Sequence, residues 1–310
     1  MSETQINSIG EINESHEALF DPRSIAIVTG TFYPGWHGGD VKGKLSADKL
    51  RGDLALQALK SAKEQNFQIA VVDGGSSEAF IHALTENDIS FEPQKIKGGQ
   101  GPARRQGLQQ AENIRGIKVI CQTEPEKVSV VSDCIEITSL PILKNDADIV
   151  VPRRDAESFS TYPKLQSEQE QKANKLYNQI LRSRGLLKAN DPDLDFWFGV
   201  RFFANKPDVT ELFKDVYQLN KDNTALDRRS NVEMYSNPLF YPVVAALYKG
   251  LRVKSIPVPY KHPQIQSEFE EGRTDFDVRR HRQRRTIVAE LVNFIRYLEN
   301  SPKSRLSKVV

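Results

Sequence analysis

The sequence predicts an α/β fold, a mixed and mainly parallel β-sheet flanked by helices. Short apolar runs rich in Val and Ile alternate with longer stretches whose apolar residues recur at helical spacing. The short runs are typical of strands buried on both faces of a sheet. Regular alternation of strand and helix indicates mainly parallel strands with helices packed on both faces.

The strands are predicted from apolar runs that end at glycine, proline or polar residues. In chain order they cover 24–30, 68–75, 89–96, 117–122, 147–152 and 251–263. The helices are predicted where apolar residues recur every three or four positions, as Leu50, Leu54 and Ala58 do in the first. They cover 49–65, 77–88, 102–113, 128–145, 167–187, 209–220, 237–250 and 278–300. The aromatic-rich stretch 195–205 receives no element.

One domain is predicted over residues 21–300 of the 310, because no linker-like stretch divides them. Residues 1–20 are polar and acidic and are predicted to form a flexible arm, and residues 301–310 a basic tail.

Composition excludes several classes of protein. A net charge of only +2 disfavours a protein that coats nucleic acid. Two cysteines exclude a disulfide scaffold. No apolar run approaches the ~18 residues of a membrane span, and the N-terminus lacks the apolar region of a signal peptide. We therefore expect a cytoplasmic protein without a transmembrane segment. A homo-oligomer is possible.

Candidate binding residues follow the predicted strands, where ligands of open α/β sheets bind. Asp73 ends the second strand before two glycines, although the same residues also suit a turn with Ser76 or Ser77 as a helix cap. The segment 98–107 joins a glycine-rich loop to Arg104 and Arg105, which suits a pyrophosphate or, equally, a solvated loop.

Acidic residues follow the strand 117–122, in the segment CQTEPEK. Glu124 and Glu126 offer the oxygen ligands that divalent cations prefer, or they complement a helix start capped by Thr123.

His262 follows the last strand. The D-x-D of Asp146 and Asp148 precedes a strand and is interpreted as a surface turn, and the basic run 279–285 as a solvated helix face or a phosphate-closing segment.

In their order, these motifs resemble the GT-A glycosyltransferases, chiefly the family 2-like enzymes and the mannosylglycerate or glucosyl-phosphoglycerate synthase group. The resemblance spans about residues 24 to 290 and implies a GT-A, Rossmann-like fold. The matching segments are SIAIVTGT, VVDGGSS, GQGPARRQGL, VICQTEPE, DFWFGVRFF and GLRVKSIPVPYKHP.

The resemblance also implies roles for individual residues. Those implied to contact the nucleotide or its phosphates are Thr29, Gly30, Thr31, Asp73, Gly101, Arg104 and Arg105. Glu124 and Glu126 occupy the place of the family's D-x-D and His262 that of its late metal ligand, which implies bound Mn²⁺ or Mg²⁺. Asp195 and Glu233 are candidates for a carboxylate base near the acceptor hydroxyl. The chain departs from the family by having Q-T-E-P-E where D-x-D is expected, and Glu is one methylene longer than Asp.

The predicted function is transfer of a sugar from a UDP- or GDP-linked donor to a hydroxyl acceptor, with no nucleic-acid partner. A nucleotidyltransferase of related fold is one alternative, although residues 29–44 lack its compact glycine, arginine and lysine pattern. A non-catalytic nucleotide- or sugar-binding protein on the same scaffold is the other, and the missing D-x-D favours it.

Overall fold

The structure is a computed structural model, and the part of the chain that it describes contains one β-sheet flanked by helices. That part comprises residues 19–39, 45–97, 99–217 and 236–300, with the backbone alone described at 236–237, 274–277, 279–280 and 282–283. The strands are β1 (Ile25–Thr31), β2 (Gln68–Asp73), β3 (Phe91–Pro93), β4 (Val119–Gln122), β5 (Ile149–Arg154), β6 (Arg201–Ala204) and β7 (Val253–Val258).

Helices connect these strands. They are α1 (Ala47–Glu64), α2 (Glu78–Glu86), α3 (Gln100–Asn113), α4 (Ile135–Leu143), α5 (Ala156–Ser160), α6 (Lys164–Ser183), α7 (Pro207–Lys214), α8 (Tyr241–Tyr248), α9 (Gln264–Glu270) and α10 (Thr274–Asn300). Single 3₁₀ turns cover Pro22–Ser24 and Phe196–Phe198, and π-helical turns cover Val130–Cys134 and Ser236–Phe240.

The strand order across the sheet is β3-β2-β1-β4-β6-β5-β7. β1 pairs in parallel with β2 and β4, and β2–β3 and β5–β7 are also parallel. β6 runs antiparallel between β4 and β5. The mixed, mainly parallel sheet predicted from the sequence is therefore confirmed, and its antiparallel member comes from the aromatic stretch that had no predicted element.

Both faces of the sheet are buried, as the apolar character of the strands predicts. In β1, Ala26 and Val28 belong to one apolar cluster, and Ile25 and Ile27 belong to a second cluster on the opposite face. The first cluster includes residues of α3, α6, α8 and α10, and the second includes residues of α1 and α4. The core thus holds the strand ends at fixed positions relative to one another.

Several element boundaries differ from the predicted ones for local reasons. The strand predicted over 251–263 ends at Val258, because its partner residue, Arg154, is the last residue of the neighbouring strand β5. The helix predicted over 128–145 begins with the π-helical turn before α4. Ser77 caps α2 by accepting a hydrogen bond from the Phe80 backbone N–H, one of the two caps proposed.

The D-x-D segment before β5 lies at the amino end of the strand. Asp148 pairs with Arg252 there, at 2.7 Å between Oδ1 and Nη2, away from the carboxyl ends of the strands. Within the described ranges, no helix combines the length and the apolar character needed to cross a membrane.

Candidate active site

A cavity of about 620 Å³ opens at the carboxyl ends of the parallel strands. Gly30 and Thr31 of β1, Gly74 after β2 and Gln94 after β3 line one side of it. The loop 123–127 after β4 also lines this space, as do Tyr260 and His262 after β7. This is the position at which open α/β sheets bind ligands.

Cationic side chains outnumber carboxylates among the described residues that line the cavity. The cations are Arg51, Lys97, Arg104, Lys127, Arg154 and Arg284. The carboxylates are Asp48, Glu124, Glu126 and Glu170. A cavity with this charge suits an anionic ligand such as a diphosphate.

Glu124 is an ionised carboxylate between two cations. Its Oε2 lies 2.7 Å from Lys127 Nζ, and its Oε1 lies 3.9 Å from Arg104 Nη2. Burial by itself raises the pKa of Glu124, but the charges of Lys127 and Arg104 outweigh burial and lower the pKa to about 2. The residue is therefore negatively charged at neutral pH.

Glu126 shares the same loop but has a different environment. Its Oε2 accepts a hydrogen bond from the Tyr33 hydroxyl at 3.2 Å, and its Oε1 lies 3.8 Å from Arg51 Nε. Burial raises the pKa of Glu126; the Arg51 charge opposes this rise and the Glu124 charge adds to it. The two carboxylates therefore repel one another, and a cation bound between them would relieve that repulsion.

His262 lines the cavity from the segment after β7. Its ring stacks on Tyr162, with centroids 4.2 Å apart and an interplanar angle of 18°. Its Nδ1 lies 3.5 Å from the Tyr260 hydroxyl oxygen, and its backbone N–H donates to Thr161 Oγ1. The imidazole is thus held in one orientation at the cavity wall.

The donor groups fit a divalent cation that substrate helps to hold. No group of three or more His, Cys, Asp or Glu side chains in the described ranges is close enough to form a protein-only metal site. Mg²⁺ is commonly bound by one or two carboxylates together with substrate phosphates, and Glu124 and Glu126 provide such a pair. The metal roles of Glu124, Glu126 and His262 stay predictions.

The residues predicted to contact the nucleotide divide into two groups. Gly30, Thr31 and Arg104 line the cavity. The others do not belong to its lining, namely Thr29, Asp73, Gly101 and Arg105. Thr29 is buried and donates its hydroxyl to the Thr123 carbonyl at 3.0 Å, so it ties β1 to the acidic loop.

Asp195 lies beneath the cavity wall and is 2% exposed. Its carboxylate accepts two hydrogen bonds from the Arg154 guanidinium, at 2.7 and 2.9 Å, and a third from Asn174 at 2.6 Å. It also accepts from the Phe198 backbone N–H and so caps the 3₁₀ turn. This geometry favours a positioning role over the predicted contact with an acceptor. Glu233, the other predicted base, lies outside the described residues.

Sequence reasoning missed several residues of the cavity. Lys127 follows the acidic loop directly, and its ammonium lies 5.5 Å from the centre of the Phe198 ring. Arg154 ends β5 and pairs with Glu170 Oε2 at 2.8 Å as well as with Asp195. The position of Arg154 at the carboxyl end of a strand was the available signal. Glu170 gave none, because it sits within an ordinary amphipathic helix.

Comparisons with known proteins identify structural relatives only. No protein-family model and no curated protein matches the sequence. Solved structures of glucosyl-3-phosphoglycerate synthase from Mycobacterium tuberculosis match this chain, and the matched part is 91% of its length. The complex with UDP is 11% identical, with 83% of that chain covered and a TM-score of 0.55. The complex with Mn²⁺, UDP-glucose and phosphoglyceric acid is 10% identical, with 82% covered and a TM-score of 0.52.

A further complex of the same enzyme holds Mn²⁺, UDP-glucose and glycerol 3-phosphate; it is 10% identical, with 83% of that chain covered and a TM-score of 0.50. At sequence identities this low, the structural match establishes the fold alone. The chain has the GT-A α/β fold, and the resemblance inferred from its ordered motifs is confirmed at that level.

Proposed function

We propose that this protein is a glycosyltransferase that moves a sugar from a nucleoside-diphosphate donor to a hydroxyl acceptor. The observation that carries the proposal is the pair Glu124 and Glu126. They follow β4 and face a cavity rich in cations, on the fold of an enzyme that binds Mn²⁺ and UDP-glucose. Carboxylates beside cations suit a metal-bound diphosphate.

A UDP-linked hexose is the proposed donor, because the similar synthase binds UDP-glucose. Small phosphorylated hydroxyl compounds are the proposed acceptors. That enzyme binds phosphoglyceric acid and glycerol 3-phosphate, and in this chain Arg284 brings a positive charge to the cavity. The GDP-linked donor, the homo-oligomer and the cytoplasmic location remain predictions.

Glu124 and Glu126 would hold the divalent cation, with His262 as the predicted third ligand. When bound, the cation would supply positive charge to the leaving diphosphate. Two cationic side chains of the protein would help the cation in this role. Lys127 and Arg104, which lie beside Glu124, would offset part of the negative charge of the diphosphate.

The proposed reaction breaks the bond between the anomeric carbon and the diphosphate oxygen. The acceptor oxygen forms the new glycosidic bond and loses its proton, and the nucleoside diphosphate leaves. Asp195 would act by fixing Arg154, which lines the cavity, rather than by taking the acceptor proton. Glu233 stays a predicted base.

The first experiment measures binding and turnover together. We expect UDP to raise the melting temperature more in the presence of Mn²⁺ or Mg²⁺ than without it. Incubation with UDP-glucose and a phosphorylated acceptor should release UDP. Glu126→Gln should lower the affinity for UDP with Mn²⁺ at least about tenfold, because it removes one charged ligand. Glu168→Gln, at an exposed position of α6, is the matched control and should change neither.

Other outcomes would separate the alternatives. Release of pyrophosphate from a nucleoside triphosphate would favour a nucleotidyltransferase. Tight UDP binding with no turnover across acceptors would favour a binding protein. Absence of any nucleotide-dependent shift would contradict the proposed donor site altogether.

A further inference from the structure

The carboxylate of Asp73 is occupied within its own turn. Oδ1 accepts hydrogen bonds from the Thr31 hydroxyl at 2.8 Å and from the Ser76 hydroxyl at 2.6 Å. Oδ2 accepts from the backbone N–H groups of Gly75 at 2.8 Å and Ser76 at 3.0 Å. Four donors use the lone pairs that a nucleobase or ribose would otherwise take. Asp73 therefore builds the turn after β2, and another group must recognise the base.

Phe32 and Gln94 approach the backbone of this turn so closely at Gly74 that only a residue without a side chain fits there. A Cβ at position 74 would lie 3.1 Å from Gln94 Oε1 and 3.4 Å from Phe32 Cδ2. Phe32, Gly74 and Gln94 all line the cavity. The Phe32 side chain is 63% exposed, which is unusual for a large aromatic residue that follows a buried strand. These three residues, here called the base cradle, present an aromatic face, bare backbone and one amide.

The orientation of the Gln94 amide is fixed by its surroundings. Its Nε2 donates to the carbonyls of Ile96 at 2.7 Å and Gly99 at 3.0 Å. The flipped amide would set its oxygen against both carbonyl oxygens, so Oε1 must be the atom that faces Gly74.

The loop that carries Gln94 is itself held. The Gln94 backbone N–H donates to the Asp73 carbonyl at 2.7 Å. Gln106 of α3 accepts from the Lys95 N–H at 2.9 Å and donates to the Pro93 carbonyl at 3.0 Å. The cradle therefore presents a hydrogen-bond acceptor at a preset position.

We propose that the base cradle selects the nucleobase of the donor, with the base stacked on Phe32 and its ring N–H donated to Gln94 Oε1. This rests on the proposed function, since it assigns the base subsite of the same cavity. Uracil and guanine carry such a ring N–H. Cytosine and adenine present a ring nitrogen acceptor at that place, which would leave two acceptors facing each other. A binding site discriminates more strongly against a ligand that leaves one of its hydrogen-bonding groups unpaired than against a ligand that differs only in size.

The test measures affinities by calorimetry for UDP, GDP, CDP, ADP and the base-free ribose 5-diphosphate. The wild-type protein should bind UDP or GDP at least about tenfold more tightly than CDP and ADP, and the better of the two identifies the base. Gly74→Ala sets a methyl group against Gln94 Oε1 and the Phe32 ring and so displaces both, and Phe32→Ala removes the stacking face. Each should weaken the preferred nucleotide at least about tenfold and leave ribose 5-diphosphate unchanged.

Gly38→Ala is the matched control. Gly38 is outside the cavity lining, and a Cβ there would make only an ordinary contact, 3.9 Å from the Trp36 ring. This variant should bind like the wild type. Phe32 is mostly exposed, so Phe32→Ala should remain folded.

Two results would overturn the proposal in distinguishable ways. If the wild type binds UDP or GDP and both variants bind it equally well, the cradle does not hold the base, while the proposed function stands. Equal affinity of the wild type for all four nucleoside diphosphates would have the same meaning. If the wild type binds none of them, both the cradle and the proposed donor site are wrong.

Discussion

At the scale of single residues, Arg154 shows how the cavity wall is fixed. It lies between Asp195 and Glu170, and its guanidinium lies 4.4 Å from the centre of the Phe159 ring. Burial raises the pKa of Asp195, but the charge and hydrogen bonds of Arg154 outweigh this effect and hold the pKa below its ordinary value of 3.8. A buried pair of this kind is stable only while both partners are present.

The first stability prediction concerns this pair. Asp195→Asn should lower the free energy of unfolding by about 3 kcal/mol at pH 7, because Arg154 keeps its charge and loses one buried partner. The pKa of Asp195 is lower in the folded than in the unfolded protein, so its ionised carboxylate stabilises the folded protein above the unfolded pKa, near pH 4. This stabilisation is lost as the pH falls through the lowered pKa of the folded protein. Urea unfolding at several pH values should show this loss in the wild type and not in the variant.

Asp193→Asn provides the comparison. Asp193 pairs with Arg182 at 2.6 Å, but its side chain is 49% exposed. An exposed pair contributes at most about 1 kcal/mol, so this variant should remain close to the wild type. A similar loss in both variants would show that burial of the Arg154 pair adds nothing.

At the scale of elements, α1 is shaped around an aromatic ring. Its residue Gly52 lies against Trp36, and a Cβ there would be 2.2 Å from Trp36 Cδ1. The indole donates to Asp53 at 2.9 Å, and the Lys49 ammonium lies 5.2 Å from the centre of the ring. The helix thus fixes the segment that follows β1 and carries Tyr33 toward Glu126.

Gly52→Ala tests this packing. Alanine favours a helix interior by about 1 kcal/mol over glycine, but overpacking against Trp36 costs about 1–3 kcal/mol. We expect a net loss of stability in thermal or urea unfolding. In the Trp36→Ala background, the same change should stabilise the protein, because the steric conflict is gone. Stabilisation by Gly52→Ala in the wild type would contradict the predicted conflict.

At the scale of the whole molecule, the cavity draws on distant parts of the chain. Its lining begins at Gly30 in β1 and extends to Ile287 in α10. A ligand that filled the cavity would contact elements from both ends of the sheet. Binding should therefore be linked to the stability of the entire predicted domain, residues 21–300, rather than to one segment of it.

We expect a single cooperative unfolding transition that shifts as a unit. UDP with Mn²⁺ at ~100 times its dissociation constant should add about 2.7 kcal/mol to the free energy of unfolding. Calorimetry should show one peak moving to higher temperature. Two transitions, of which only one moves, would contradict the single domain.

Individual elements show how far sequence reasoning reached. The helical spacing in 49–65 predicted α1 within two residues of its start, because one long amphipathic face leaves a clear period. β6 was missed, because a charged residue, the buried Arg201, interrupts the apolar run that identifies the other strands. Glu124 and Glu126 were found by their place after a strand, whereas Glu170 is brought to the cavity from a helix surface by packing alone.

The sequence by itself determined the fold class, the order of most strands and helices, and the edge of the sheet at which the cavity opens, because these depend on local periodicity and on topology rules for parallel strands. Tertiary structure decided what each side chain does there. Asp73 and Asp195 are of a residue type that serves in binding sites, yet both carboxylates are already occupied. Thr31 and the turn of Asp73 itself donate to Asp73, and Arg154 and Asn174 donate to Asp195. Phe32 and Gln94 gave no signal in the sequence, since hydrogen bonding and exposure depend on three-dimensional neighbours.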